Sequence, residues 1–493
     1  MEKDGMTYII GIDQSTQGSK AVLVDEQGNI AGRADRRHVQ LVNGLGWVSH
    51  DPEEIYQNVV LAVRDVMEQH QVPKKAIRAV GISNQRETTV MWDKSGRALE
   101  NAVVWQCGRA REITERLAEY GEQIRQKTGI PLSPFFPAAK MAWLLENHEH
   151  WGAKGHKGIC LGTVDSWLLY RLTGGKSFKT DYSNASRTQL FNLHTLEWDQ
   201  ELCGFFGVPL EILPEICDSN SVFGETDLDG YFDAPVPILS AMGDSHASLF
   251  AHGCHRKGMS KTTYGTGSSV MMNIGTSFKE SRYGLATSLA WGIDGVVNYV
   301  LEGNINYTGA VITWLKDDLK LLSELGELEP AAADANPIDT TVLVPAFTGL
   351  SAPYWDNDAR GMLYGMSRTT GRNEIIRAAV ESIAFQITDV MRAMEKDSGL
   401  AIEELHVDGG PTRNRYLMQF QSDMAGSRVL APEMEEYSAL GAAYMAGLKC
   451  GMYEARTLWA GRPVTIYERQ MEDGERLKKL ELWQQALKAC RGK

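Results

Sequence analysis

Short apolar runs that end in polar turns characterise the start of the chain. Tyr8–Ile12 predicts a buried strand, and a polar turn over Asp13–Ser19 separates it from a second candidate strand at Ala21–Asp25. This strand–turn–strand order differs from the strand–glycine loop–helix order of the Rossmann and P-loop motifs. Neither GxGxxG nor GxxxxGK[ST] occurs in this segment.

Helical signals follow these two strands. Asp51-Pro52-Glu53-Glu54 combines an Asx cap, a proline at the first helical position and acidic residues, so it predicts a helix over Asp51–Gln69. Ala76–Ser83 and Thr88–Trp92 are the next candidate strands, and helical spacing returns in Phe135–Asn147.

The second half of the chain repeats the strand–turn–strand pattern. Lys261–Asn273 (KTTYGTGSSVMMN) places a Gly/Ser/Thr turn before an apolar run, and a strand near Leu405 ends in a glycine turn. Asn373–Glu395 has apolar residues at a spacing of three and four, which predicts a helix. Ala331–Asn336 predicts a loop, and the charged stretch after Thr457 predicts a peripheral helix.

Length and repetition together predict two domains. A chain of 493 residues exceeds what one ordinary core accommodates. One strand–turn–strand unit lies in each half, which favours a duplicated domain plan. We place the boundary near residues 250–256 and predict an N-terminal domain over 1–253 and a C-terminal domain over 254–493.

Composition limits which binding partners and which cellular compartment we expect. A net charge of −13 disfavours nucleic acid or an anionic membrane as the main partner, although a local cradle of backbone amides can still bind ATP. The seven cysteines are scattered without a CxxC pair, so we expect free thiols and no zinc site. The N-terminus does not resemble a signal peptide, and no stretch approaches the ~20 apolar residues of a membrane-spanning helix. We therefore expect a cytoplasmic protein.

Two small-residue turns are candidates for phosphate binding. In Asp13–Lys20, backbone N–H groups and the Lys20 charge can converge on an anion, and Asp13 can hold a metal ion. Gly265–Ser269 offers a second turn of this kind. A plain hairpin turn is the alternative at each position.

Three further segments carry candidate chemistry. Asp244 ends a buried run and can accept the proton of an attacking hydroxyl, although a helix-capping aspartate is the alternative. Arg86 and Glu87 can together bind a diol, or form a surface salt bridge. Trp105 offers an apolar wall or core packing, and Asp408–Asn414 contains a glycine pair where backbone can approach a ligand closely.

The order of these motifs resembles the FGGY family of carbohydrate kinases. FFPAAKMAWLLEN at Phe135–Asn147 and GMLYGMSRTTGRNEIIRAAVE at Gly361–Glu381 are similar to the two signatures of that family. DYSNASR at Asp181–Arg187 and PAFTGLSAPYWD at Pro345–Asp356 are most similar to its glycerol kinases.

The resemblance implies an α/β fold of two ribonuclease-H-like (actin-like ATPase) domains around a central cleft, with substrate held mainly by the first and ATP mainly by the second. It implies ATP and Mg²⁺ as cofactors and a small polyol or sugar as substrate. Homo-oligomers of two or four subunits are common in the family.

The resemblance also assigns roles by position. It implies Asp244 as the catalytic base and Asp13 as the residue at the magnesium ion. The implied nucleotide-binding residues are Thr16, Gln17, Lys20, Thr266, Gly309, Gly410, Pro411 and Asn414. The implied substrate-binding residues are Arg86, Glu87, Trp105, Phe135, Asp244, Ser245 and Ser269.

The chain departs from the glycerol kinases at several of these positions. Gln17 and Lys20 replace a threonine and an arginine, changes that a phosphate site tolerates. In the pocket a tyrosine becomes Phe135, a glutamine becomes Ser245 and a phenylalanine becomes Ser269. Since two of the three changes shrink a side chain, we expect a wider and more polar pocket for an acceptor longer than glycerol.

The expected activity is transfer of the γ-phosphoryl group of ATP to a terminal hydroxyl of a polyol or ketose of four to six carbons. A glycerol kinase proper is one alternative. A catalytically silent actin-like sensor that binds nucleotide is another. The joint presence of Asp13, Arg86, Glu87 and Asp244 argues against the sensor, which has no use for a base.

Overall fold

The computed structural model of the protein describes residues 5–148 and 158–492. The predicted absence of a signal peptide concerns the N-terminus, whose residues 1–4 lie outside the described ranges. Across the two described ranges, no helix combines the length and apolar character needed to cross a membrane.

The strands of the N-terminal part, within the described residues, are β1 (Tyr8–Gln14), β2 (Gly18–Val24), β3 (Ile30–Arg37), β4 (Leu41–Val42), β5 (Val48–His50), β6 (Ile77–Asn84), β7 (Thr89–Asp93), β8 (Ala102–Val103), β9 (Ile159–Thr163), β10 (Lys179–Asp181), β11 (Phe191–Asn192), β12 (Glu197–Trp198), β13 (Glu215–Cys217), β14 (Gly224–Thr226) and β15 (Val236–Gly243). Those of the C-terminal part are β16 (Ser260–Tyr264), β17 (Ser268–Gly275), β18 (Ala286–Ile293), β19 (Val296–Ile305), β20 (Val342–Val344), β21 (Met362–Tyr364), β22 (Glu404–Asp408), β23 (Arg428–Pro432) and β24 (Val464–Tyr467).

The α-helices of the same ranges are α1 (Pro52–Gln69), α2 (Arg111–Arg116), α3 (Gly121–Thr128), α4 (Pro137–Asn147), α5 (Val164–Leu172), α6 (Tyr182–Ala185), α7 (Gln200–Phe206), α8 (Asp244–Ala251), α9 (Gly309–Thr313), α10 (Leu328–Ala333), α11 (Arg372–Ser398), α12 (Arg415–Ala425), α13 (Tyr437–Lys449), α14 (Ala455–Leu458) and α15 (Asp473–Cys490).

Two large sheets share one strand plan. In the first sheet, with order β14-β15-β6-β1-β2-β3, β1 is antiparallel to β2 and β2 to β3, whereas β1, β6 and β15 run parallel. In the second sheet, with order β18-β19-β17-β16-β22-β23-β24, β16 is antiparallel to β17 and β17 to β19, whereas β16, β22 and β23 run parallel. The repeat confirms the predicted α/β fold built from two related units.

Local signals account for several elements. The Asp51 side chain accepts a hydrogen bond of 2.9 Å from the backbone N–H of Glu53 and begins α1, as its cap sequence predicts. β1 runs on through Asp13 to Gln14, because this strand pairs with both β2 and β6 along its length. The prediction that Asp13 belongs to the turn was therefore wrong.

Two other predictions were only partly right, because tertiary packing decides the rest. The predicted loop at Ala331–Asn336 begins inside α10, where Ala331 is buried in the core. The helix predicted after Thr457 is confirmed as α15, but it is anchored in the core rather than peripheral. Its Trp483 is completely buried, stacks on Phe385 at 5.1 Å and donates a hydrogen bond of 2.5 Å to Asp389.

Helix α13 belongs to the C-terminal part of the sequence but packs across the first sheet. A side chain at Gly11 would overlap the carbonyl group of Ala439, and one at Gly81 would overlap that of Ala442. The Ser240 hydroxyl donates to the Ala442 carbonyl at 2.8 Å. The chain therefore returns to its first sheet late in the sequence, and the domain boundary at residue 253 stays a prediction.

Candidate functional site

The carboxyl ends of three parallel strands meet at one edge of the first sheet. Asp13 of β1 lies opposite Ser83 of β6, and Gly243 of β15 lies opposite Asn84. Asp244 follows directly and begins α8. Because parallel strands present their carboxyl ends at the same edge, two carboxylates far apart in sequence face one region.

Asp13 is almost fully buried, and one of its oxygens accepts a hydrogen bond of 2.9 Å from the Ser83 hydroxyl. Burial, opposed by Lys20 and reinforced by Asp244, raises the pKa of Asp13 to about 7. Removal from water disfavours the charged form of a carboxylate. The position therefore favours either a proton on Asp13 or a cation, such as Lys20, beside it.

Arg86 joins the two sheets. Its terminal nitrogens donate to both carboxylate oxygens of Glu302, on β19, at 2.9 and 2.8 Å. Its Nε lies 3.2 Å from Oδ1 of Asp244. A guanidinium has five N–H donors. Two of them donate to Glu302, Nε forms an ion pair with Asp244, and the others have no hydrogen-bond partner among the described residues.

Glu302 lies at the centre of a buried ion network. Arg187 donates to Glu302 at 2.7 Å and to Glu87 at 2.7 Å, and the Ser269 hydroxyl donates to Glu302 at 3.1 Å. Burial alone would raise the pKa of Glu302, but the Arg187 and Arg86 guanidiniums hold it well below its usual range. Three predicted substrate residues, Arg86, Glu87 and Ser269, are thereby fixed in one network.

The Asp244 side chain is 34% exposed, in contrast to its buried neighbours. Its Oδ1 accepts a hydrogen bond of 2.6 Å from the backbone N–H of Ser245. His246 is completely buried, burial lowers its pKa well below 6.5, and neither ring nitrogen has a partner among the described residues. Of the two side chains, that of Asp244 is the accessible one.

Trp105 and Phe135 form an aromatic wall. Their ring centroids lie 5.4 Å apart in an edge-to-face arrangement. The Trp105 indole N–H donates to the Thr16 hydroxyl at 2.9 Å, which connects this wall to the turn between β1 and β2. An apolar wall with a few polar groups beside it suits a small organic ligand.

The first candidate phosphate turn is restricted to residues 15–17. Ser15 bonds the Gly18 carbonyl through its backbone N–H at 2.8 Å and through its hydroxyl at 3.0 Å, while Gln17 is exposed. The Lys20 ammonium lies 3.0 Å from Glu436, immediately before α13. Lys20 therefore lies near the turn but is held by a residue from the C-terminal part.

The second turn joins β16 to β17 and contacts the start of α9. The backbone N–H of Gly309 donates to the Gly265 carbonyl at 2.9 Å, and that of Ala310 donates to the Thr266 carbonyl at 3.0 Å. A Cβ at Gly309 would lie 2.7 Å from the Gly265 oxygen, so this close approach requires glycine. Thr266 and Gly309 are therefore adjacent.

The glycine-rich loop after β22 lies against the same strand end. Gly409 has a φ of 99°, and a side chain there would overlap the Tyr264 carbonyl. Gly410 and Pro411 begin a 3-10 turn, and the Asn414 side chain accepts a hydrogen bond of 2.9 Å from Leu417 as the cap of α12. The predicted adenosine residues thus share an edge of the second sheet with the second phosphate turn, since β16 and β22 are parallel neighbours.

Sequence reasoning missed three charged residues of this region: Arg187, Glu302 and Glu436. A single acid within the apolar strand Val296–Ile305 is a signal that could have identified Glu302, because unpaired acids are rarely buried. Arg187 and Glu436 show no comparable local signal, because their partners are distant in sequence.

Sequence comparison decides the family. The sequence model of the FGGY family of carbohydrate kinases, N-terminal domain, matches residues 8–251, and that of the C-terminal domain matches residues 260–450. The chain belongs to the FGGY family of carbohydrate kinases.

Known proteins resemble this FGGY kinase along its whole length. It is 43% identical to the glycerol kinase of Xanthomonas axonopodis pv. citri over 100% of this chain and 99% of that protein. The crystal structure of Plasmodium falciparum glycerol kinase with ADP superimposes with a TM-score of 0.91 at 33% identity, covering 98% of each chain. A ligand-bound xylulose kinase from Lactobacillus acidophilus has a TM-score of 0.87 at 22% identity, covering 98% of this chain and 97% of that one, which shows a shared fold.

Family membership identifies this FGGY kinase as an ATP-dependent phosphotransferase that acts on an alcohol group of a sugar or polyol. No observation in the described residues favours the silent sensor. The acceptor and the roles of individual residues are proposals.

Proposed function

We propose that this kinase phosphorylates a terminal hydroxyl of a polyol or ketose of four to six carbons, with Asp244 as the general base. The observation that carries the proposal is the placement of Arg86 between Asp244 and Glu302, with N–H donors that have no hydrogen-bond partner among the described residues. These donors would bind acceptor oxygens beside a partly exposed carboxylate.

The chemistry follows from this placement. The acceptor oxygen attacks the γ-phosphorus as its proton passes to Asp244, a new P–O bond forms, and the bond to the ADP oxygen breaks. Arg86 orients the acceptor, and closure of the cleft would exclude water as a competing acceptor.

ATP would lie along the second sheet. The 265–267 turn with Gly309 would hold phosphates, Lys20 with the 15–17 turn would approach them from the first sheet, and Gly410, Pro411 and Asn414 would border the adenosine. The Plasmodium relative was crystallised with ADP, which supports an adenine nucleotide in this fold.

The residues fit a magnesium ion that arrives with the nucleotide. In residues 5–148 and 158–492, no group of three or more His, Cys, Asp or Glu side chains is arranged to hold a metal. Mg²⁺ commonly uses one or two carboxylates together with substrate phosphates and water. Asp13, whose environment favours a cation, would supply that carboxylate, and the bound ion would neutralise charge on the phosphates.

Three pocket residues support an acceptor longer than glycerol. Phe135 lacks the hydroxyl of the corresponding glycerol-kinase tyrosine, and Ser245 and Ser269 are smaller than the glutamine and phenylalanine they replace. Ser269 also adds a hydroxyl to the wall that contains Glu302. A glycerol kinase proper is the second candidate, favoured by 43% identity to a glycerol kinase over the full chain.

A panel of acceptors tests the proposal. We expect kcat/KM for erythritol, xylitol, xylulose or ribulose to exceed that for glycerol by at least about tenfold, the discrimination that one changed pocket contact provides. Preference for glycerol would overturn the acceptor class but retain the kinase. Tight ATP binding without product from any acceptor would instead support the sensor. Cytoplasmic location and a dimeric or tetrameric state stay predictions.

A further inference from the structure

Successive side chains of β19 point alternately toward α11, in the core of the second sheet, and toward the first sheet. A side chain at Gly303 would collide with Val390 of α11, so Gly303 faces that helix. Because successive strand residues point to opposite faces, Glu302 and Asn304 face away from α11. The contact between Glu302 and Arg86 confirms that this face is directed at the N-terminal part.

Asn304 lies beside Ser269 on this face. The two residues are direct partners in the antiparallel ladder between β17 and β19. Cross-strand partners have Cβ atoms about 4.5–5.5 Å apart on one face of the sheet. Since the Ser269 hydroxyl donates to Glu302 at 3.1 Å, Glu302, Ser269 and Asn304 form one polar wall opposite Arg86 and Asp244.

The Asn304 amide has no described partner. Its backbone carbonyl accepts a hydrogen bond of 2.6 Å from the Ser351 hydroxyl, whereas its half-buried side chain makes no hydrogen bond within residues 5–148 and 158–492. A carboxamide offers two N–H donors and one acceptor oxygen. Glu302 and Ser269 already satisfy each other, so Asn304 is the member of the wall whose side chain is uncommitted.

We infer that Asn304 is a specificity-determining residue that hydrogen-bonds a hydroxyl or carbonyl oxygen on the side of the acceptor facing the second sheet. The inference rests on the proposed function and adds a polar group that recognises the oxygen-rich skeleton of a longer polyol or ketose. A site that hydrogen-bonds a substrate oxygen discriminates against a molecule lacking that oxygen, because its own polar group is then left unpaired.

Asn304→Ala in the full-length enzyme tests this inference. We expect KM for the best acceptor of four to six carbons to rise about ten- to hundredfold, while KM for glycerol and for ATP changes less than about threefold, within the scatter of such measurements. Asn298→Ala is the matched control. It removes the same amide from the same strand, six residues away along β19, and should leave all three KM values unchanged.

An equal rise in KM for glycerol and the longer acceptors would overturn the specificity role, and a rise confined to ATP would assign Asn304 to the nucleotide. If wild-type enzyme uses the longer acceptors and Asn304→Ala does not change their KM, the inference fails and the proposed function stands. If wild type prefers glycerol, both fail. Should Asn304→Ala not fold, Asn304→Leu, which keeps a similar size without a polar group, provides the same comparison, with the thermal unfolding midpoint as the check on folding.

Discussion

Arg86 and Glu302, separated by 216 residues, face each other through two parallel hydrogen bonds of 2.9 and 2.8 Å. Both side chains are buried, and Glu302 also binds Arg187. A residue of the second sheet thus sets the position of an arginine that contacts the proposed base. This part of the pocket is therefore formed by residues of both sheets together.

Glu302→Gln should impair both stability and catalysis. The change leaves two buried guanidiniums without their shared carboxylate, and breaking a buried ion pair costs ~3–5 kcal/mol. We expect a clear decrease in the thermal unfolding midpoint and in kcat/KM for every acceptor. Glu404→Gln, which removes an exposed pair with Arg428, should change the midpoint little because surface pairs contribute ~0–1 kcal/mol. Equal effects of the two changes would refute the network's role.

Asp244→Asn should sharply reduce turnover without preventing nucleotide binding. General-base catalysis contributes a factor of about 10²–10⁴, and an amide cannot accept the proton. Turnover is measured by ADP release and ATP affinity by calorimetry. Asp334→Asn, at the exposed end of α10, is the control and should behave like wild type. Wild-type turnover in Asp244→Asn would remove Asp244 from its proposed role.

Lys20→Met should weaken ATP binding more than acceptor binding. The Lys20 ammonium lies at the first phosphate turn beside Glu436, and its loss removes one charged hydrogen bond of about 1.5–3 kcal/mol. We expect KM for ATP to rise about tenfold or more on this basis, with KM for the acceptor nearly constant. Lys449→Met, which breaks a surface pair with Asp294, provides the comparison. A selective rise in acceptor KM would contradict the assignment.

Acid should destabilise the enzyme through buried neutral histidines. Burial lowers the pKa of His50 and His255 to about 4. Burial, reinforced by the nearby His252, lowers the pKa of His406 to about 3. Histidines of an unfolded chain titrate near about 6.5, so between that pH and about 4 the unfolded state binds more protons. The contribution of these histidines to stability therefore decreases as pH falls through this window, whereas buried carboxylates with a raised pKa, such as Asp13, contribute in the opposite direction.

Calorimetric unfolding scans across this pH window measure the effect. His255 lies in an aromatic cluster with Phe250, Trp291 and Trp459, so His255→Phe retains the ring while removing one titrating group. We expect its unfolding midpoint to decrease less steeply with acid than that of wild type. A slope equal to wild type would show that His255 does not contribute.

Gly81→Ala should destabilise the fold by separating α13 from the first sheet. The new methyl group would overlap the Ala442 backbone, which cannot move aside as a flexible side chain can. Overpacking of this kind costs ~1–3 kcal/mol. Gly204→Ala, in α7, whose added methyl group meets no atom beyond its own helix backbone and chain neighbours within 4 Å, should be neutral or stabilising. The unfolding midpoints of both variants measure the difference, and an unchanged midpoint in Gly81→Ala would mean that α13 does not pack as described.

Part of the site was predictable because its signals are local. The Asp51 cap, the apolar runs of β1 and β17 and the small-residue turns beside them act within a few residues, and the structure places these elements as expected except that Asp13 belongs to β1. Asp244 at the end of β15 followed from the same kind of pattern.

The remaining features depended on distant parts of the chain. The sequence by itself determined two sheets of one plan, the turns at their strand ends and the identity of the family. Only the tertiary structure decided that Glu302 binds Arg86 and Arg187, that Glu436 holds Lys20, and that α13 returns to the first sheet. The reason is physical. Periodicity and capping depend on neighbouring residues, whereas the pairing of buried charges depends on which strand ends and helices the completed fold brings together.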